Sequence, residues 1–343
     1  MEKQFFGKDK QGREIFKYTL TDEKGNSLSV LNFGATVQSL VITDKNGTKK
    51  NVVMGFDNME QYMDDNGRTY FGAVVGRVAN RIQDAEFYIE GEKYSLVQNN
   101  GTNCLHGGTD GFDKKFFDLT DAEDDYMTFS TFVEDGDEGF PGNISLSVKY
   151  TFKNGLLMIE YLATTTATTP LALTNHTYFN LDGAGDIKNH KLKLNSHYYM
   201  TVRDDGLATG RVLPVEGTEF DFLEEKVIGP AIEKAAAAQP TVAGIDHHFF
   251  CDAARSEYRH FGTLTASDDS LKMDIYTNQC GVQIYTGNFV PQMAADGRQA
   301  FPYCALTMET QAAPNSMNNS HLPSILLHRG ERYYHKTGFR FYY

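Results

Sequence analysis

The 343-residue sequence predicts an all-β fold, one large antiparallel β-sandwich domain spanning residues 1–343 with few short helices. Three observations carry that reading. Residues 144–152 alternate apolar and polar side chains at a strict period of two, the pattern of a strand with one buried face. Asn-Gly and Glu-Gly pairs separate such runs, supplying the positive backbone angles that two-residue hairpins need. No long amphipathic stretch, internal repeat or Pro/Gly/Ser-rich linker interrupts the pattern, and many short strands with tight turns make a sandwich or barrel.

The elements follow in order. Asn46-Gly47 separates a strand at 37–43 from one at 51–55. Residues 59–63 suit a short helix. Glu90-Gly91 joins strands at 87–89 and 94–97. Asn154-Gly155 ends the 144–152 run, and 156–163 is the return strand. Residues 191–194, 271–276 and 282–285 alternate as further strands. Residues 228–238, rich in Ala before Gln239-Pro240, suit a short helix or two turns.

Composition narrows the function. Apolar residues are 41% and charged residues 22%, which excludes disordered and fibrous chains. A net charge of -13 repels phosphate backbones, and the longest basic cluster is Lys49-Lys50, so no nucleic-acid partner is expected. No apolar stretch approaches the ~18–20 residues of a membrane span. Residues 1–8 lack the apolar segment of a signal peptide. Cys104, Cys251, Cys280 and Cys304 form no Cys-x-x-Cys and read as free thiols, so the expected setting is cytoplasmic.

Phosphate-loop, dinucleotide, zincin and nucleophile-elbow motifs are absent. Gly72 and Gly76, around 73–75, precede no helix and read as a close-packed turn. Five polar segments remain. Gly76-Arg77-Val78-Ala79-Asn80-Arg81-Ile82 suits either a solvated edge strand or a rigid donor group. The 99–108 loop presents His106 ahead of two glycines, which suits either close approach of a ligand to the backbone or a hydrogen-bonded loop histidine. His176 lies in a strand-like stretch between polar residues that can fix its tautomer, though a lone histidine in such a stretch is more often structural. His247 and His248 are neighbours and point to opposite faces of an extended segment, so they share no metal ion, while Asp246 can accept bonds from a hydroxylated ligand. In residues 304–311, Leu306 and Met308 face one way and Thr307 and Glu309 the other. A carboxylate on such a strand is costly to bury without a purpose. Gln283 and Tyr285 likewise share a face opposite Val282 and Ile284. Together these groups suit acid–base work on a neutral, hydroxyl-rich molecule.

The motifs Gly-Arg-x-Ala-Asn-Arg-Ile, Leu-His-Gly-Gly, Thr-Asn-His-Thr-Tyr-Phe-Asn-Leu, Gly-Ile-Asp-His, Tyr-Thr-Gly-Asn and Glu-Thr-Gln occur in that order. With them come Gly111-Phe112-Asp113-Lys114, Glu138-Gly139-Phe140-Pro141-Gly142 and Pro214-Val215-Glu216-Gly217-Thr218 with Asp221-Phe222. From about residue 30 to the C-terminus the chain resembles the aldose 1-epimerase (galactose mutarotase) family. The resemblance implies a large twisted antiparallel β-sandwich, with Glu309 as general base and His176 as general acid. It also implies Arg81, His106, Asp246 and Gln283 as sugar-binding residues, with Asn80 adjoining. Two departures bear on sugar preference: Ala312-Ala313 precedes Pro314 where the family has an aromatic, and tryptophan, which stacks best on sugars, is absent.

On this reading a free aldohexose such as galactose or glucose opens its ring as Glu309 takes the C1 hydroxyl proton and His176 protonates the ring oxygen. Nearby carboxylates are expected to raise the His176 pKa so that it holds its proton. No redox or group-transfer step occurs, so neither cofactor nor metal is expected, and the chain acts as a monomer or homodimer. Three rivals stand beside it. A glycoside hydrolase would use Asp246 with Glu309. A binding module would need neither acid nor base. A hexose-6-phosphate relative would need a phosphate-binding cluster.

Overall fold

Left-handed turn residues fold the chain back on itself as the hairpin pattern requires. Asn154 and Gly155 have φ of 51° and 69°, and they join strand Ile144–Lys153 to strand Leu156–Thr165. Glu90 and Gly91, at 50° and 86°, join Glu86–Ile89 to Glu92–Ser95 in the same way. The computed structural model describes residues 1–64, 69–252 and 257–343.

Three sheets dominate. A five-stranded meander runs from Glu2–Lys8 through Glu14–Thr21, Ser27–Leu31 and Val37–Thr43 to Lys49–Asn51. A nine-stranded sheet has the order Asp118–Ala122, Tyr126–Val133, Ile144–Lys153, Leu156–Thr165, Tyr333–Tyr342, Lys272–Thr277, Arg259–Thr265, Lys191–Leu194 and Lys226–Val227. A six-stranded sheet has the order Tyr178–Phe179, Leu306–Gln311, Gly281–Tyr285, Asp246–Phe250, Tyr198–Val202 and Ala208–Pro214. Neighbouring strands in these sheets run antiparallel. The α-helices among the described residues are short, Met59–Asp64 and Gly229–Ala238. None is long and apolar enough to cross a membrane.

The main core lies between the sheets. Leu28, Val37 and Leu40 of the meander join Phe129, Val148 and Ile159 of the large sheet and Val282, Ile284, Leu306 and Met308 of the six-stranded sheet. Burying such side chains contributes ~1.5–3 kcal/mol each. Because strand side chains alternate, packing Leu306 and Met308 into this core turns Thr307 and Glu309 to the opposite face.

Some boundaries differ from the pattern. The strand expected at 51–55 is Lys49–Asn51, after which Val53 makes an isolated bridge to Phe179. The Asn51 side chain explains the stop: its Oδ1 accepts from the Leu40 amide, the donor that a continuing ladder would need at Val52. His176 lies between two short strands, Thr174–Asn175 and Tyr178–Phe179, rather than inside one. All four cysteines are free.

Candidate active site

The six-stranded sheet builds one wall of the site by register. Gln283 lies directly opposite Glu309 on one side and His248 on the other. Tyr285 lies opposite Asp246 and Thr307. One sheet face therefore carries Asp246, His248, Gln283, Tyr285, Thr307 and Glu309 in a compact block.

The second wall is made of loops. His176 is held at its backbone, donating its amide to Ala73 O (2.8 Å) and accepting from the Gly72 amide (3.1 Å). His106, at φ 53°, donates its amide to Asn80 O (3.0 Å). The Asn80 amide in turn donates to His106 Nδ1 (3.2 Å). Strand Arg81–Ile82 pairs with Cys104–Leu105, which brings Arg81 alongside the same loop.

These walls enclose a cavity of about 880 Å³. Asn80, Arg81, His106, His176, Asp246 and Glu309 all line it. Gln283 lies on the same face, buried beside Asp246, and its Nε2 donates to Asp246 Oδ1 (2.7 Å). Arg77 separates from Arg81: it is buried and donates to Pro141 O, Gly142 O and Thr169 Oγ1. The reading of both arginines as a donor group for a ligand is therefore corrected for Arg77, whose Nη1 is taken up by two backbone carbonyls and the Thr169 hydroxyl, while Arg81 lines the cavity.

Other motifs support the walls. Glu138 Oε2 accepts from the Thr109 amide (2.7 Å) and braces the His-Gly-Gly loop. Asn288 donates to Val242 O and Ile245 O and fixes the turn that delivers Asp246. Gly107 has φ 91°, and a Cβ there would run into the Gly76 carbonyl oxygen. Gly107→Ala is expected to cost about 2–4 kcal/mol in a denaturation series, through backbone clash and strain. An unchanged midpoint would mean the loop yields freely.

The electrostatics run against ordinary expectation. His176 Nε2 lies 3.6 Å from Glu309 Oε1, and the Thr307 hydroxyl donates to that same oxygen (2.9 Å). Glu309 Oε2 is buried without a hydrogen-bond partner among the described residues. Burial raises the Glu309 pKa to about 8, with Asp246 adding to the rise. Burial lowers His176 to about 3. The expectation that neighbouring carboxylates lift His176 is thus corrected. The Tyr70, Tyr178 and His106 rings crowd its imidazole at 5.1–5.5 Å, and desolvation outweighs the one raising influence, a backbone hydrogen bond. Asp246 is also raised by burial, against the pull of Arg81, 3.9 Å away, and the Gln283 hydrogen bond. His106 is lowered, first by burial and then by His176 and Arg81.

His106, His176 and Glu309 offer ligand atoms that all lie within 4.8 Å of one another, so a metal must be considered. The donor chemistry does not fit one. The Asn80 amide takes the lone pair on His106 Nδ1, so the neutral ring carries its proton on Nε2 and has no free lone pair for a cation. The same bond makes His106 Nε2 a neutral hydrogen-bond donor. His247 stands apart, packed on Phe220 (4.4 Å between centroids) and Tyr199 (5.9 Å).

Sequence reasoning missed Tyr70 and Tyr178 as cavity walls, whereas Tyr285, placed with Gln283 on the face opposite the core, does line the cavity. Tyr178, two residues from His176, had a local signal; Tyr70, at φ 54°, had none.

Residues 17–340 match the family model for aldose 1-epimerase. The galactose mutarotase of Bos taurus is 36% identical over 318 residues, 92% of this chain and 90% of that one. The aldose 1-epimerase of Escherichia coli is 32% identical over 328 residues, 94% of each chain. Among solved structures, an aldose epimerase homologue from C. elegans superposes with a TM-score of 0.87 at 27% identity, covering 95% of this chain and 98% of that one. The galactose 1-epimerase of Lactobacillus acidophilus gives 0.86 at 26% identity, covering 100% and 99%.

Proposed function

Since the chain belongs to the aldose 1-epimerase family, and therefore interconverts the α and β anomers of aldoses, we propose that Glu309 and His176 are the proton-transfer pair of that reaction and that free galactose and glucose are its substrates. The observation that carries this assignment is the buried Glu309–His176 pair at 3.6 Å on the wall of a cavity of about 880 Å³, ample for a hexose.

A pyranose is a hemiacetal. Glu309 takes the proton from the C1 hydroxyl, His176 gives one to the ring oxygen, and the C1–O5 bond breaks to leave a C1 aldehyde. Rotation about C1–C2 presents the other carbonyl face. Closure returns both protons, so atoms and charge balance without a cofactor. Between about pH 3 and 8 the pair holds one proton, and in the free site that proton rests on Glu309. The reactive form is its partner, carboxylate and imidazolium. Sugar hydroxyls donating to the unpaired Glu309 Oε2 favour that form. Arg81, His106, Asp246 and Asn80 hold the remaining hydroxyls, with Gln283 bracing Asp246.

The pH dependence follows. After subtraction of the buffer-catalysed rate, kcat/KM is expected to stay level down to about pH 4–5. It then falls above about pH 8, as the pair loses its last proton. A fall beginning at pH 6.5 on the acid side would show instead an ordinary, solvated histidine.

The test of the activity is polarimetry on freshly dissolved α-D-galactose and α-D-glucose. Enzyme should speed the drift of rotation to its equilibrium value well beyond buffer alone. No acceleration with either sugar would overturn the substrate assignment, and sugar release from a nitrophenyl glycoside would favour a hydrolase. We also read residues 1–343 as one unit serving this site, since Lys10 and Glu309 line the same cavity. We take the chain to act in the cytoplasm as a monomer or homodimer, without nucleic-acid partners, which agrees with its net charge of -13 and its free cysteines.

A further inference from the structure

We propose that the Asn99-Asn100 dipeptide, which borders the cavity, is the positioning element of the site: Asn99 fixes His106 and Asn100 aims Arg81. The inference rests on the reading of His106 and Arg81 as sugar-binding residues.

Asn99 spends its whole side chain on the loop that carries His106. Its Nδ2 donates to Leu105 O (2.9 Å) and to Gly108 O (2.8 Å), and its Oδ1 accepts from the Leu105 amide (2.7 Å). These three bonds bracket His106 and Gly107 from both sides. The bracketed backbone is unusual, with φ of 53°, 91° and 110° at residues 106–108. A left-handed histidine persists only where its surroundings impose it. Asn99 supplies that restraint next to the Asn80–His106 bonds already described.

Asn100 turns to the other binding residue. Its Oδ1 accepts from Arg81 Nε (2.9 Å), while Arg81 Nη1 donates to Gly206 O (3.2 Å). The guanidinium is thereby gripped at two separate nitrogens and held 3.9 Å from Asp246. The dipeptide is itself anchored: Asn100 and Asn103 exchange backbone bonds (3.2 and 3.0 Å), and Asn103 Oδ1 accepts from the Asp84 amide (3.1 Å).

The two neighbours use their side chains differently, so one substitution made at each separates them. Asn100 serves Arg81 only as an acceptor, and a carboxylate accepts from guanidinium at least as well. Asn99 serves mainly as a donor to two carbonyls, and a carboxylate would face both with repulsion. With galactose mutarotation as the readout, Asn100→Asp should stay within about 3-fold of wild type, whereas Asn100→Ala should raise KM about 10-fold with kcat nearly kept. Asn99→Asp and Asn99→Ala should both lower kcat/KM by roughly 10–100-fold, as misplaced binding groups do. In a His106→Ala background Asn99→Ala should cost nothing further, and in an Arg81→Ala background Asn100→Ala should cost nothing further.

Losses that multiply in full in those backgrounds would overturn the proposal, because a general structural defect does not vanish when its supposed target is removed. An Asn100→Asp variant as poor as Asn100→Ala would overturn the Arg81 half even if the Asn99 variants do not fold. Activity of the wild type separates the readings: an active wild type without this pattern sinks the positioning claim alone, and an inactive wild type sinks the functional assignment with it.

Discussion

Glu309→Gln is expected to fold more tightly and to lose about 10³-fold in kcat. The two effects have one cause. Glu309 is buried on a strand whose other face packs in the main core, so its carboxyl titrates at about 8. In the unfolded chain it titrates near 4.5. As pH rises from 4.5 to 8 the unfolded state releases a proton that the folded state keeps, so stability falls across that window and levels off above it. Glutamine has no proton to lose and keeps an acceptor for the Thr307 hydroxyl. The variant should therefore gain about 2–4 kcal/mol at pH 8 and almost nothing at pH 4.5. For a chain of this length that is a rise in Tm of about 3–5 °C. Melting curves of both proteins at the two pH values check the sign. Equal stability at pH 8 would mean that the carboxylate is well solvated, and the electrostatic account of the site would fail.

His176→Gln is the second large effect, with kcat expected to fall by about 10²–10⁴ while KM moves little. His176 is packed among Tyr70, Tyr178 and His106 and is neutral in the free site. Its role begins only when the ring oxygen needs a proton, so its removal acts on the transition state rather than on ground-state binding. Its pH linkage has the opposite sign to that of Glu309. With a folded value of about 3 against an ordinary 6.5, it contributes stability above pH 6.5 that is lost as pH falls toward 3. His176→Gln should remove that acid-side loss, which urea midpoints at pH 4 and pH 7 would reveal. A large rise in KM with kcat intact would instead make His176 a binding residue.

Much of this site was legible because it sits on strands. Alternation in residues 306–311 and 282–285 puts Glu309 and Gln283 opposite the core, and pairing in register sets them side by side. Period two is a local rule, and the fold obeys it here. What sequence could not show depends on distant chain segments meeting. The split between Arg77 and Arg81 arises because residues 141–142 and 169 reach one arginine and residues 100 and 206 the other. The direction of the His176 shift depends on Tyr70, which arrives from a turn a hundred residues away. The Asn99 side chain looked like loop composition because its three partners are loop backbone atoms, which leave no mark on spacing.

The central claim is that Glu309 and His176 move the protons. Its most direct test is the initial polarimetric rate on fresh α-D-galactose, for wild type, Glu309→Gln and buffer alone at pH 7. The account predicts rapid decay to the equilibrium rotation with wild type, and a variant whose curve runs close to buffer alone. A Glu309→Gln protein that turned galactose over at the wild-type rate would contradict it.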